Sequence, residues 1–340
     1  MSDLDEARLT QWLEQVLACP VRIGKIEKFA GGQSNPTYRL DLAARSLVLR
    51  RKPFGPLLPS AHAVDREFRL LSALKPLGFP VPQPVALCED EAVIGSTFYV
   101  MEMVEGRTFW NGTLPELNKA ERRGYYHALV DTLAALHKVD HVAAGLGDFG
   151  ASGNYVARQI QRWTKQYRAA QTDDLPVMEK LIAWLPQTVP EQTRTSIIHG
   201  DYRIDNLIFS PDGPQPRAVL DWELATIGDP LADFAYFAMQ WVIPPDGRSG
   251  LGGIDFEKAG IPDLDEITSR YCAATDRDGV PGLHWYFAYN LFRFASIIQG
   301  IKKRLADGTA SNAKAEEIVA LLEPYARVAW EQAKRAGAQD

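Results

Sequence analysis

At 340 residues the chain is longer than the ~250–300 at which a single hydrophobic core stops growing, so two lobes or domains are expected. With 43 acidic against 37 basic residues and a net charge of -6, it lacks the basic footprint of a nucleic-acid-binding protein, while 46% hydrophobic content supports full folding. No apolar run approaches the ~18 residues of a membrane span, and Cys19, Cys88 and Cys272 show no short paired spacing, which argues against a disulfide framework or zinc site and fits a reducing cytoplasm.

The N-terminus carries Asp3, Asp5 and Glu6 in place of the basic start of a signal peptide. Leu9, Trp12, Leu13, Val16 and Leu17 then fall at amphipathic-helix spacing. Val21 to Ala30, Thr37 to Leu42 and Ser46 to Arg51 read as three short strands, Ala63 to Leu74 as a helix, and Val85 to Cys88 and Thr97 to Met103 as further strands. The expectation is a small antiparallel sheet with a helix against it. From about Val104 the pattern turns helical: Lys119 to Lys138, Val156 to Arg168, Leu175 to Leu185, Leu231 to Trp241, Leu264 to Ala274, His284 to Leu305 and Ala313 to Ala336, the last kinked or divided at Pro324. The stretch Val242 to Ile261 reads as irregular and exposed. This pattern predicts an α+β fold with a sheet-based lobe over residues 1–103 and a mainly helical lobe over 104–340.

Set into the helical half is His199-Gly200-Asp201-Tyr202-Arg203-Ile204-Asp205-Asn206, followed by Leu207-Ile208-Phe209, a turn near Pro211-Asp212-Gly213-Pro214, and Ala218-Val219-Leu220 leading to Asp221-Trp222-Glu223. Two short strands joined by that turn would bring Asn206 and Asp221 together. Transfer of a γ-phosphoryl group needs a carboxylate to take the proton of the attacking hydroxyl and oxygen ligands for Mg²⁺. Asp201 fits the first role, and Asn206 and Asp221 the second. Asp205 and Glu223 either assist the metal or organise the loop. Asp229 before Pro230 reads as a helix N-cap or as a brace for this loop.

Upstream, Gly31, Gly32 and Ser34 lie between the first two strands, where backbone amides can approach phosphate. In Leu47-Val48-Leu49-Arg50 a cation follows alternating apolar residues; arginine can grip phosphate bidentately, and Arg50 is preferred to the adjacent Arg51 and Lys52. Glu67 shares the inward stripe of its helix with Val64 and Leu71, and a carboxylate so placed needs a cation such as Arg50. Within the aromatic run Trp285 to Phe294, Arg293 stands inside an apolar surround and requires an acidic partner or an anionic ligand, making it a candidate substrate contact.

The motif around Asp201, with Asp221-Trp222-Glu223 and Gly228-Asp229-Pro230-Leu231-Ala232-Asp233, resembles the aminoglycoside phosphotransferase and choline kinase superfamily, relatives of the protein kinases. That resemblance implies a two-lobed protein-kinase-like fold, ATP and Mg²⁺ as cofactors, and adenine held by backbone groups of Glu102 and Val104. It also implies that His199 supports the loop without reacting. The glycine-rich segment, Val48-Leu49-Arg50-Arg51-Lys52-Pro53, Arg66-Glu67-Phe68 and Gly308-Thr309-Ala310-Ser311-Asn312 are similar to the branch whose kinase-like domain is fused to certain acyl-CoA dehydrogenases. The branch implies a small-molecule hydroxyl acceptor, a hydroxyacyl-CoA or hydroxy acid, with Lys302, Lys303 and Arg304 available to CoA phosphates. Aminoglycoside kinase and a catalytically silent nucleotide-binding protein are the rival readings; nucleic acid and membrane are not expected partners.

Overall fold

A computed structural model describes residues 4–29, 35–54, 63–245, 248–309 and 314–339. Two compact units emerge: Met1–Thr108 with Val142–Leu146 and Asn206–Ala225, and Phe109–His141 with Gly147–Asp205 and Thr226–Asp340. The linear division expected at 103 and 104 does not include the two later segments that join the first unit.

The first unit begins with α1 (Glu6–Leu17), whose N-cap Asp5 accepts from the Arg8 amide, followed by β1 (Ile23–Lys28), β2 (Thr37–Leu42), β3 (Ser46–Arg51), α2 (Val64–Leu74), β4 (Pro84–Cys88) and β5 (Phe98–Glu102). The strands form one antiparallel sheet in the order β1-β2-β3-β5-β4. Strand side chains alternate between faces. Tyr38, Leu40, Leu47, Leu49, Phe98 and Val100 therefore share one face, where they pack with Leu9 and Leu13 of α1. Val48, Arg50 and Tyr99 point to the other, where α2 buries Val64, Glu67, Leu71 and Leu74.

The second unit opens with α3 (Lys119–His137), started by a capping box between Asn118 and Glu121, then α4 (Tyr155–Ala170), α5 (Pro176–Trp184) and β6 (Ser196–Ile198). The chain crosses to the first unit at Asn206 to form the hairpin β7 (Leu207–Phe209) and β8 (Pro216–Val219). It returns with β9 (Thr226–Gly228), which pairs antiparallel with β6, and continues through α6 (Pro230–Ala238), α7 (Phe256–Ala259), α8 (Leu264–Ala274), α9 (Leu283–Ala306), α10 (Ala315–Val319) and α11 (Leu322–Arg335).

Two expectations are corrected here. The stretch from Val242 to Ile261 is not simply exposed: Ile243, Leu251 and Ile261 are buried, and α7 lies within it. The proline and glycine content that signalled a loop hid apolar residues too widely spaced to read as a core element. The last helix is divided at Ala320 and Leu321, ahead of Pro324, which sits in the first turn of α11 where a missing N–H breaks no helical bond.

Candidate active site

In the first unit, an ion-pair cluster forms around the half-buried Arg50, with Glu67 buried behind it. Its Nε lies 2.8 Å from Glu67 Oε2, and its Nη2 donates to Asp221 Oδ1 at 2.9 Å with Glu223 Oε2 at 3.8 Å. Burial disfavours the guanidinium charge, yet Glu67, Tyr99, Asp221 and Glu223 together hold its pKa above the ordinary value. Glu67 is 3% exposed; burial pushes its carboxyl up, Asp221 adds to that, and Arg50 and the Tyr99 hydroxyl oppose it. Asn35 Nδ2 donates to Glu67 Oε1 at 2.9 Å, and the Tyr99 hydroxyl to Oε2 at 3.1 Å. With a cation and two neutral donors, this carboxylate satisfies the requirement for burial.

Arg51 belongs to the opposite face. Its guanidinium stacks 3.7 Å from the Phe54 ring, donates to the Tyr38 hydroxyl at 3.2 Å and to the Lys52 carbonyl at 2.9 Å, while Lys52 pairs with Asp65 at 3.2 Å. Strand alternation thus gives the Glu67 pairing to Arg50.

The hairpin sets Asn206 beside Asp221. Leu207 pairs with Val219, and the Leu220 amide donates to the Asn206 carbonyl at 2.8 Å, extending the ladder by one residue. Asp221 then adopts the left-handed conformation (φ 62°), uncommon for a residue with a Cβ. Among the described residues no cluster of three or more His, Cys, Asp or Glu could cage a metal. An amide oxygen and a carboxylate nevertheless suit Mg²⁺, which takes one or two protein oxygens and completes its shell with phosphates and water.

The segment expected to hold adenine runs on from β5. The Glu102 amide donates to the Gln83 carbonyl at 2.8 Å, leaving its carbonyl as the group it can offer, and the Glu102 side chain reaches outward to Arg45 at 3.3 Å. Val104 is half-buried. Beyond it, Arg107 and Phe209 exchange backbone hydrogen bonds at 2.9 and 2.8 Å, and a β-carbon at Gly106 would collide with the Phe209 carbonyl oxygen, so glycine is required there. Gly31, Gly32 and Ser34 lie outside the described residues.

In the second unit, the loop after β6 is pinned from below. Asp233 on α6 accepts from the His199 amide through Oδ2 and from the Gly200 amide through Oδ1, each at 2.8 Å. His137 Nε2 lies 3.1 Å from Asp233 Oδ2, and its Nδ1 lies 2.7 Å from the Tyr271 hydroxyl. Burial alone would raise the Asp233 pKa, but His137, His199 and the loop amides bring it below the ordinary carboxylate value. His199 is fully buried, and its Nδ1 accepts from the Asp201 amide at 3.2 Å. Asp229 is the N-cap, accepting from the Leu231 amide at 2.9 Å, and Asp233, one turn later, is the brace.

Asp201, carried by this loop, accepts through Oδ1 from the Tyr236 hydroxyl at 2.5 Å, with Arg203 Nε at 3.2 Å. Arg203 also reaches Asp205 Oδ2 at 3.3 Å, and Arg248 Nη2 donates to the same oxygen at 2.8 Å. Arg293, 6% exposed, donates to the Gly200 carbonyl at 2.8 Å and lies 5.1 Å from the Tyr236 ring and 5.7 Å from the Trp163 ring. Lys302 and Lys303, by contrast, pair with Asp173 and Asp307 at 2.6 and 2.7 Å.

Asn35, Tyr99, Arg203, Asp233 and Tyr236 were not singled out in the sequence. A signal existed for Asp233: an acid inside the otherwise apolar Leu231-Ala232-Asp233-Phe234-Ala235 must find buried donors.

The sequence signature described as "Phosphotransferase enzyme family" matches residues 25–267. Mouse acyl-CoA dehydrogenase family member 10 is 46% identical over 312 residues, a match covering 91% of this chain but 29% of that protein. The chain therefore spans less than a third of that curated relative. A crystal structure of a candidate aminoglycoside phosphotransferase from Ralstonia eutropha superposes with TM-score 0.89 at 44% identity, covering 98% of this chain and 99% of the other. A thermostable mutant of aminoglycoside phosphotransferase APH(4)-Ia, solved with AMP-PNP and hygromycin B, shares the fold at TM-score 0.62 and 15% identity, covering 98% and 99%. These neighbours show an α+β, kinase-like fold.

Proposed function

The chain belongs to the phosphotransferase enzyme family, and on that premise we propose that it moves the γ-phosphoryl group of ATP to a hydroxyl of a small molecule. In the reaction the acceptor oxygen bonds to the γ-phosphorus and the bond to the β,γ-bridging oxygen breaks. ADP departs with that electron pair, and Asp201 takes the proton of the acceptor hydroxyl. Arg50, set by Glu67, grips the nucleotide phosphates; Gly31, Gly32 and Ser34 cover them, and Glu102 and Val104 hold adenine. Asn206 and Asp221 would hold Mg²⁺, which when bound offsets phosphate charge. The observation that carries this reading is the Arg50 guanidinium, shared between Glu67 at 2.8 Å and Asp221 at 2.9 Å. A structural ion pair would not require a strand cation, a helix acid and the aspartate after a hairpin to meet at one point.

For the acceptor we propose a hydroxyacyl-CoA or hydroxy acid. Support comes from the 46% identity to a protein named as an acyl-CoA dehydrogenase family member. Guanidinium groups also stand at Asp201 and Asp205: Arg203 contacts both carboxylates, Arg248 pairs with Asp205, and Arg293 holds the Gly200 carbonyl beside Asp201. Such surroundings suit an anionic acceptor better than a polycation. An aminoglycoside acceptor is the second reading, supported by the naming of the 44% identical Ralstonia eutropha protein. Asp201→Asn should abolish transfer while ATP affinity, read by calorimetry, stays within about threefold of wild type, because a general base acts on the reacting proton and not on the bound nucleotide. Full turnover by that variant would remove Asp201 from the role.

A further inference from the structure

Tyr236 and Asp233 lie three residues apart on α6 and so share a helix face. Asp233 fixes the main chain of His199 and Gly200, and Tyr236 reaches the side chain of the next residue, donating its hydroxyl to Asp201 Oδ1 at 2.5 Å. From α9, Arg293 donates to the Gly200 carbonyl at 2.8 Å while its guanidinium lies 5.1 Å from the Tyr236 ring. Tyr236 is 4% exposed, so its ring has little freedom to leave. Burial and the adjacent Asp201 raise its pKa, which keeps the phenol a donor at neutral pH. Among the described residues, charged groups that face Asp201 include Arg203 and Arg293, with Asp205 bonded to Arg203 and His199 accepting from the Asp201 amide.

We propose that Tyr236 is a positioning residue for Asp201: its hydroxyl holds Oδ1 and so fixes the rotamer and plane in which the carboxylate meets the acceptor hydroxyl. An aspartate swings about two torsions, and a group locked before the reaction need not be ordered during it. Tyr236 touches neither substrate nor reacting atoms in this scheme and acts through Asp201. The proposal rests on the reading of Asp201 as general base.

Tyr236→Phe removes one oxygen and keeps the ring against Arg293. On an acceptor that wild type turns over, it should lower kcat by roughly ten- to a hundredfold with both KM values within about twofold, because ordering of the base is lost and binding is not. A purely structural tyrosine would instead lower the folded fraction, counted by nucleotide-binding stoichiometry, and leave kcat per folded molecule unchanged. Independently of turnover, NMR of the full chain carrying ζ-¹³C tyrosine gives a Tyr236 resonance, assigned by its loss in Tyr236→Phe. That resonance should shift when Asp201→Asn changes its acceptor. A resonance indifferent to Asp201→Asn, or a Tyr236→Phe variant with wild-type kcat, would overturn the proposal. Wild type that turns over no acceptor, with the resonance still responsive, would overturn the phosphotransfer reading and leave the Tyr236 to Asp201 pairing intact.

Discussion

A cation on the third strand can serve either face of the sheet, and a shift of one position exchanges the two outcomes. Arg50 takes the face covered by α2, where Glu67 is anchored by Asn35 and Tyr99; Arg51 takes the face with Tyr38 and Phe54. Glu67→Gln should accordingly lower kcat/KM for ATP on the order of a hundredfold, since Arg50 loses the charge that aims it. Arg51→Lys should destabilise the fold and leave kcat/KM for ATP unchanged. Steady-state kinetics of the two variants beside thermal melts separate these effects, and equal kinetic losses would count against the assignment of faces. Arg50 and Glu67 were legible in the sequence because each interrupts a local apolar pattern. Asn35 and Tyr99 were not, because their part depends on contacts 32 positions away in the chain to Glu67. Asp221 was legible as an acid after a strand, but its left-handed backbone was not, since aspartate carries no strong requirement for it.

Among the elements, α6 and α9 do most to hold the Asp201 loop. Along α9, Tyr286 donates to Asp229 at 2.7 Å, Asn290 to the Ala232 carbonyl at 2.9 Å and Arg293 to the Gly200 carbonyl at 2.8 Å, a spacing of four and then three that defines one helix face. The aromatic run around them is buried core, with this polar seam inside it. Helix α6 was legible from its cap and proline, whereas the partition of roles between Asp229 and Asp233 depended on which loop amides came within reach. Asp233→Asn should cost about 1.5–3 kcal/mol at neutral pH, the range for hydrogen bonds to a charged group. Because folding lowers the Asp233 pKa below 3.8, its contribution is present above that value and fades as pH falls through the depressed folded pKa. Denaturant unfolding across pH should therefore show the gap between wild type and Asp233→Asn narrowing below about pH 3.8. A constant gap would indicate that packing, and not the charge, is what the substitution removes.

For the whole molecule, the sequence pattern carried the strands and helix of the small antiparallel sheet and the helical remainder, and missed β9, whose three residues pair with β6 only across a long excursion of the chain. None of the described helices is long and apolar enough to cross a membrane. In the proposed reaction Mg²⁺ would arrive with the nucleotide: Asn206 and Asp221 are held by the hairpin bond to Leu220 and by Arg50, and among the described residues no cluster of His, Cys, Asp or Glu cages a metal. Chelation should consequently stop ADP release and be reversed by added Mg²⁺, while the melting temperature of the nucleotide-free protein stays unchanged; a melt that falls on chelation would point to a structural ion. The decisive measurement is ADP release with Mg²⁺-ATP across hydroxyacyl-CoAs, free hydroxy acids, aminoglycosides and choline, with product mass determined and Asp201→Asn run in parallel. Phosphoryl transfer to a hydroxyacyl acceptor with Asp201 as base predicts acceptor-dependent ADP and a phosphorylated hydroxyacyl product that both vanish in Asp201→Asn. ATP binding without acceptor-dependent ADP from any of the four classes, or equal rates in the variant, would contradict it.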